Sequence, residues 1–243
     1  MLEAELAVAG EVRKKRAYHH GDLRNSIIGA VAALIGEQRS PNIQLRDVAE
    51  RVGTSQPAIY KHFESKQHLL VEVAIAGYDL QKQFRDRALA LARPSPLHGL
   101  LAIGIAYVRF SQLYPGYFLL MKTFETAEIL SSPRYQAQRD ETLTVFGGLV
   151  EACFEQGLFR PVGLELAMAT LQTAAFGLAH LYIAQQMEFV APTIHDDPEL
   201  AGQVYCLSFA GLMTPAGHRL LEEQGTNPFL AVPPIPDVLD PGD

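Results

Sequence analysis

Leu45-Arg46-Asp47-Val48-Ala49-Glu50-Arg51-Val52-Gly53-Thr54-Ser55-Gln56-Pro57-Ala58-Ile59-Tyr60-Lys61-His62-Phe63-Glu64-Ser65-Lys66-Gln67-His68-Leu69-Leu70 carries three helix signals in close succession. Leu45, Val48, Ala49 and Val52 recur at the i, i+3, i+4 and i+7 positions of one face, which predicts a helix over Leu45–Val52. Gly53 follows, and its missing Cβ suits a tight turn. Ile59 and Phe63 stand four apart in a second short helix, about Gln56 to Phe63, in which Pro57 fits only the first turn. Because a residue before proline avoids helical dihedrals, Gln56 reads either as the cap or as the first helical residue. Ser65 then caps a long helix from Lys66 to about Ala92. Upstream, Asp22 caps a helix running to Gln38, with Leu23, Ile27, Val31 and Leu34 on one face.

If Leu45, Val48, Val52, Ile59 and Phe63 pack inward, the second short helix turns Gln56, Ala58, Lys61 and either His62 or Tyr60 toward solvent. Two short helices joined by a tight turn, braced by a preceding helix, have the organisation of a helix-turn-helix reader. The exposed residue types suit a major groove: Gln pairs with an adenine edge, Lys with guanine or phosphate, and Ala permits close approach to a thymine methyl. Tyr60, Lys61 and Lys66 suit phosphate contacts that fix register. Lys66 also opens a helix whose free N–H groups favour an anion. Arg46, Thr54, Ser55 and Pro57 flank this face and complete the candidate DNA-binding set. The arm Arg13-Lys14-Lys15-Arg16 is placed to follow phosphates or enter a neighbouring minor groove, with His19 and His20 near the DNA.

Charge divides the chain in the same way. Its 243 residues carry a net −7, yet residues 11–66 hold ten Lys/Arg against six Asp/Glu, a net +4 that leaves −11 for the remainder. A basic module on an acidic body fits a polyanion bound at one end. With 48% hydrophobic residues there is enough material for a large core. The longest uninterrupted apolar run, Gly99 to Val108, is about half of the roughly 20 residues a membrane-spanning helix needs, and two acidic residues near Met1 are unlike a secretory signal. A cytoplasmic protein without membrane association is expected. Cys153 and Cys206 read as small buried hydrophobes.

Apolar spacings of three and four continue beyond residue 66 and predict helices over Leu97–Leu113, Gly116–Leu130, Arg134–Gln156, Gly163–Met187 and Glu199–Glu223, the last interrupted or kinked at Pro215. The expected fold is all-α: a basic arm (1–17), a three-helix DNA-binding domain (18–66), a larger helical ligand-binding and dimerisation domain (67–224) and a Pro-rich tail (225–243). The last two long helices (163–187, 199–223) carry faces suited either to a helix-pair interface or to ordinary core. Tyr107, Phe110, Phe118, Met121, Phe124, Phe146, Leu149, Cys153, Phe176 and His180 supply the aromatic, Met and polar groups from which small-molecule cavities and protein cores are both built. His180 is the candidate polar anchor.

The 45–70 run, with its Tyr, Phe and Lys ahead of Leu69-Leu70, resembles the DNA-binding signature of the TetR family of bacterial transcriptional regulators. Gln44 stands where the family usually has a Ser or Thr cap, and Thr54 where it usually has an aliphatic residue. Tyr18-His19-His20-Gly21-Asp22-Leu23-Arg24 and Ala106-Tyr107-Val108-Arg109-Phe110 resemble one subgroup. That subgroup often carries Trp-His-Gly in a later helix; here Ala174-Ala175-Phe176-Gly177-Leu178-Ala179-His180 occupies the place, and the chain has no Trp. The resemblance implies a homodimer on double-stranded DNA with a palindromic operator, released by a small apolar effector. Two other readings are a low-specificity architectural DNA-binding protein and a helical enzyme. Against the enzyme, there is no phosphate-binding Gly loop, no Gly-x-Ser-x-Gly and no His-Glu-x-x-His, so no catalytic residue, cofactor or metal is expected.

Overall fold

A computed structural model describes residues 20–195 and 198–222. The basic arm, Tyr18, His19, Asp196-Asp197 and the Pro-rich tail lie outside the described residues. An N-terminal unit is formed by α1 (His20–Gln38), α2 (Leu45–Val52) and α3 (Gln56–Ile59). The long α4 (Lys66–Leu91) leads from it into a body built of α5 (Pro96–Leu113), α6 (Pro115–Lys122), α7 (Ala127–Ser131), α8 (Pro133–Glu155), α9 (Leu164–Ile183), α10 (Met187–Val190), α11 (Pro192–His195), α12 (Pro198–Phe209) and α13 (Pro215–Glu222). Among the described residues the only β-type pairing is one isolated bridge, Phe159 to Met213. The fold is all-α, with helix-turn-helix and body in the expected order.

One continuous core runs through both units. Ile27, Val31, Ile35, Val48, Ile59 and Phe63 fill the N-terminal unit, and Phe84, Phe110, Phe118 and Leu120 the body. The link between them is unusually close. α1 lies on α6, with Gly36 facing Gly116, and a Cβ placed on Gly116 would overlap the Ala32 carbonyl. Only a residue without a side chain permits this approach.

Three of the expected long helices are broken. The predicted Gly116–Leu130 helix is two, because Thr123 leaves helical geometry (φ −128°, ψ −36°) and the Thr126 side chain accepts from the Ile129 N–H to start α7 afresh. Gln185, at φ 56°, ends the α9 segment before the predicted Met187. The predicted Glu199–Glu223 helix stops at Phe209 and restarts at Pro215. In between, the chain turns onto residues 158–160, with Arg160 N–H donating to Leu212 O (2.8 Å) and Thr214 N–H to Leu158 O (2.9 Å). Proline, having no N–H to give the preceding turn, belongs at a helix start.

By length and composition α9 reaches what a membrane-crossing helix requires. A count of uninterrupted apolar residues passes over it, because Thr170, Gln172, Thr173 and His180 divide the run. It packs against α5, α8 and α12.

Candidate DNA-reading face and interior cavity

Gly53, at φ 70°, closes α2 in the left-handed conformation, and Thr54 N–H reaches back to Ala49 O (2.8 Å). Gln44, at the other end, makes no side-chain cap bond. Ser55 is extended and its hydroxyl accepts from Ala58 N–H at 3.3 Å, so Ser55 is the cap and Gln56 and Pro57 open the helix. Regular helix stops at Ile59, but turn bonds from Lys61 N–H to Ala58 O (3.2 Å) and from His62 N–H to Ile59 O (2.9 Å) carry the chain round until Phe63 is buried.

This places Ser55, Gln56, Pro57, Tyr60 and Lys61 on the surface, with Tyr60 51% exposed. Arg46 is exposed at the start of α2, and Thr54, Ala58 and His62 are half-buried beside the same face. Lys66 is positioned differently: its ammonium donates to the Ile43 carbonyl at 2.7 Å and straps the loop before α2. Ser65 caps α4 by accepting from His68 N–H at 3.0 Å, which occupies one of the free N–H groups there.

The residues that hold this unit were not legible in the sequence. Arg51 makes a two-pronged bond to Glu37 at 2.8 and 2.7 Å, fixing α2 to α1 and holding the Glu37 carboxyl below its usual range. Arg24 lies over the Phe63 ring at 5.2 Å and pairs with Glu72 on α4, to which Arg134 of α8 also comes within 3.4 Å. Such pairs join residues 14 to 62 positions apart and leave no periodic trace.

In the body, a cavity of about 310 Å³ lies among α4, α5, α6, α8, α9 and α12. That is at the small end of the roughly 300–1,000 Å³ span of ligand pockets. Tyr107, Met121 and Phe146 of the expected set border it, together with Ile103, Ala106, Leu171, Ala175 and Tyr205. The other seven do not. Phe110, Phe118 and Phe176 stack beside it, with Phe118 centred 5.2 Å from Tyr107 and 6.3 Å from Phe176. Neither ring nitrogen of His180 is free, one being 3.2 Å from Thr123 Oγ1 and the other 3.2 Å from Phe176 O. Leu149 packs over Gly99, Phe124 lies half-buried against the core, and Cys153 is enclosed, with burial pushing its thiol up to about 12. Helical rotation of about 100° per residue explains the division: Leu171 and Ala175 of α9 share the cavity face, and Phe176 and His180 occupy the neighbouring one.

One wall of the cavity is polar, and the sequence reading did not anticipate it. Tyr78, Gln81, Lys82 and Arg85 come from α4, Lys122 from the end of α6, Glu125 from the following loop, and Arg139 and Thr142 from α8. Lys122 donates to the Tyr78 hydroxyl at 2.7 Å and lies 4.4 Å from that ring's centre. Burial draws its pKa down to about 8 and pushes the Tyr78 phenol up to about 12. Away from the cavity, α9 and α12 present apolar side chains to solvent, Leu166 at 59% and Leu207 at 72% exposure, with Val204 beside the latter.

Residues 27–73 match the family described as bacterial regulatory proteins, tetR family, and residues 100–199 match the tetracyclin repressor-like C-terminal domain. Similar solved structures include the TetR family transcriptional regulator PfmR from Thermus thermophilus, at 22% identity and TM-score 0.59, over 77% of this chain and 99% of that one. The ketosteroid transcriptional regulator KstR2 of Mycobacterium tuberculosis is similar at 18% identity and TM-score 0.60, covering 79% of this chain and 95% of its own. The fatty acid degradation regulator FadR from Bacillus halodurans matches at 16% identity and TM-score 0.63, over 80% and 98%. At these identities the likeness is one of fold. No curated relative matches the chain.

Proposed function

Because the chain belongs to the TetR family, whose members are DNA-binding transcriptional regulators and not enzymes, we propose that it is a cytoplasmic repressor, held as a homodimer on a palindromic operator and released by a small apolar effector in the cavity of the body. One observation carries this reading: the unit bearing the exposed Gln56, Tyr60 and Lys61 rests on α6 through the Gly36–Gly116 contact, and the far end of α6 supplies Met121 and Lys122 to the cavity. Reader and cavity thus share one rigid element. In this reading the DNA-binding domain ends at residue 66, where α4 begins.

Two reading helices on one face of B-DNA must lie about 34–36 Å apart, so a small tilt of either unit costs several contacts together. Occupancy falls from 99:1 to 1:99 if the effector prefers the mis-spaced state by about 10⁴. Leu166, Val204 and Leu207 supply the apolar surface for the dimer. Leu207→Glu, which touches nothing in the single chain's core, is expected to yield monomers on a sizing column and to lose operator binding.

A footprint of the protein on the DNA upstream of its own gene tests the reading. The expected result is one salt-sensitive palindromic site; indifference to sequence at every salt concentration would leave the architectural alternative instead. Lys61→Ala is expected to weaken binding with a salt slope shallower by about 1, the mark of one lost phosphate contact. An unchanged slope takes Lys61 off the phosphate backbone.

A further inference from the structure

The cavity's polar wall has more to satisfy than the protein supplies. Lys122 brings an ammonium into it, and among the described residues no carboxylate comes within ion-pair distance of that nitrogen; its one hydrogen-bond partner is the Tyr78 hydroxyl. Glu125, the acidic residue in the lining, is engaged elsewhere, accepting from the Tyr135 hydroxyl. The neighbouring cations are already matched: Lys82 and Arg85 share Asp86 and Glu141, and Arg139 lies 3.4 Å from Asp140. One turn along α4 from Tyr78, the side chain of Gln81 is 8% exposed, borders the same cavity and has an Oε1 with no hydrogen-bond partner. A half-buried cation whose acidic neighbour, Glu125, makes no ion pair with it and a buried acceptor without a donor are each costly, and both costs are relieved by the right occupant. Ile103, Ala106, Leu171 and Ala175 give the cavity hydrocarbon surface, and Tyr107, Gln172 and Tyr205 line it too, with Gln172 donating to the Tyr107 hydroxyl at 3.4 Å.

We propose that the occupant of this cavity is a compact apolar carboxylic acid, its carboxylate received by Lys122 and its hydrogen-bond donor, such as a hydroxyl, by Gln81 Oε1. The inference rests on the cavity being the effector site, and it specifies the effector's chemical class. The acid group is what distinguishes it from a neutral apolar ligand. A neutral molecule of the same shape would fill the hydrocarbon wall but leave the ammonium unmatched. A charge-assisted bond in place of a neutral one is expected to favour the acid by about tenfold to a hundredfold. The volume of 310 Å³ favours a short chain or a single ring over a larger ligand.

Protonation gives an independent mark. Lys122 is faced by Tyr78 from α4, by Glu125 from the loop after α6 and by Arg139 from α8, while Tyr135 and Asp140 of α8 act on Tyr78 in turn. Burial leaves its pKa at about 8 in the empty protein. An anion beside it favours the charged form, so binding raises that pKa and takes up a proton above pH 8. Affinity for the acid is therefore flat below about pH 7.5 and falls toward tenfold per pH unit above 8, until the bound-state pKa is reached.

The test uses the full chain with octanoate, decanoate, benzoate and 4-hydroxybenzoate, each beside its primary amide, read by calorimetry and by the shift in Tm. The expected result is at least one acid bound about tenfold or more tightly than its amide, with the alkaline loss of affinity. Lys122→Met, which keeps the stem length and removes the unmatched charge, is expected to abolish the preference while the empty protein's Tm stays level or rises. Amides that bind as well as acids, a preference that survives in Lys122→Met, or no binding by any of the four acids would overturn the inference. Release of operator DNA by neutral apolar compounds, with the acids inert, would overturn it too and leave the regulatory reading standing. An acid preference dependent on Lys122, in a protein that ignores DNA, would uphold the ligand class and sink the regulatory reading.

Discussion

Gly116→Ala is expected to destabilise the protein by about 1–3 kcal/mol or more, the range for overpacking a close contact. The added methyl would overlap the Ala32 carbonyl and press on the Gly36 nitrogen, and both are backbone atoms that cannot turn aside as a side chain would. Relief requires α1 and α6 to move apart. For a chain of this size each kcal/mol lowers Tm by about 2–4 °C, so thermal unfolding reads the effect directly. The same substitution should weaken the influence of a cavity ligand on DNA binding, because α6 would no longer bear rigidly on the reading unit. Gly148→Ala in α8 is the control: nothing lies within 4 Å of the new methyl, and a helical Gly→Ala change there is expected to be neutral or stabilising by up to about 1 kcal/mol. Equal losses in the two variants would refute the close-contact argument.

Phe63→Ala is expected to cost about 3–5 kcal/mol, the usual price of truncating an enclosed aromatic ring. Phe63 is 1% exposed, stands edge-on to His68 at 6.2 Å between centres, and carries Arg24 over its face. It therefore joins the end of the reading segment to α1 and to the start of α4. Because Phe63 is the buried aromatic ring at the end of the short α3 segment, the loss falls first on that unit, and DNA binding should disappear before the body unfolds. Circular dichroism against urea, run beside a DNA-binding titration, separates the two. If the operator affinity of the variant stayed within a few-fold of the parent, Phe63 would not be what aims the helix.

The helix-turn-helix was legible because its determinants are local. The 3-and-4 spacing of Val48, Val52, Ile59 and Phe63 and the turn glycine at 53 each act within a turn or two of chain, and each appears where the spacing placed it; the boundary left open at Gln56 is closed by the hydroxyl cap of Ser55. Lys66 shows where such reading stops. Its position at a helix start suggested an anion, whereas its ammonium is taken by a carbonyl 23 residues away. The cavity was legible only as a region. Periodicity told that Tyr107, Phe110 and Phe118 are buried, but one rotation step of a helix separates a residue facing a void from one facing a neighbour's ring.

Spacing by itself determined that this chain is helical, that a helix-turn-helix lies near residues 45–63, and that Gln56, Tyr60 and Lys61 meet solvent, since backbone propensity and amphipathic phase are properties of short segments. Tertiary structure alone decided that Gly116 would touch α1, that Arg24 and Arg134 would share Glu72, and that Lys122, Gln81 and Tyr78 would line one wall of a cavity. Those meetings depend on how whole helices are offset and rotated against one another, a quantity set by the summed packing of the entire core and carried by no single stretch of residues.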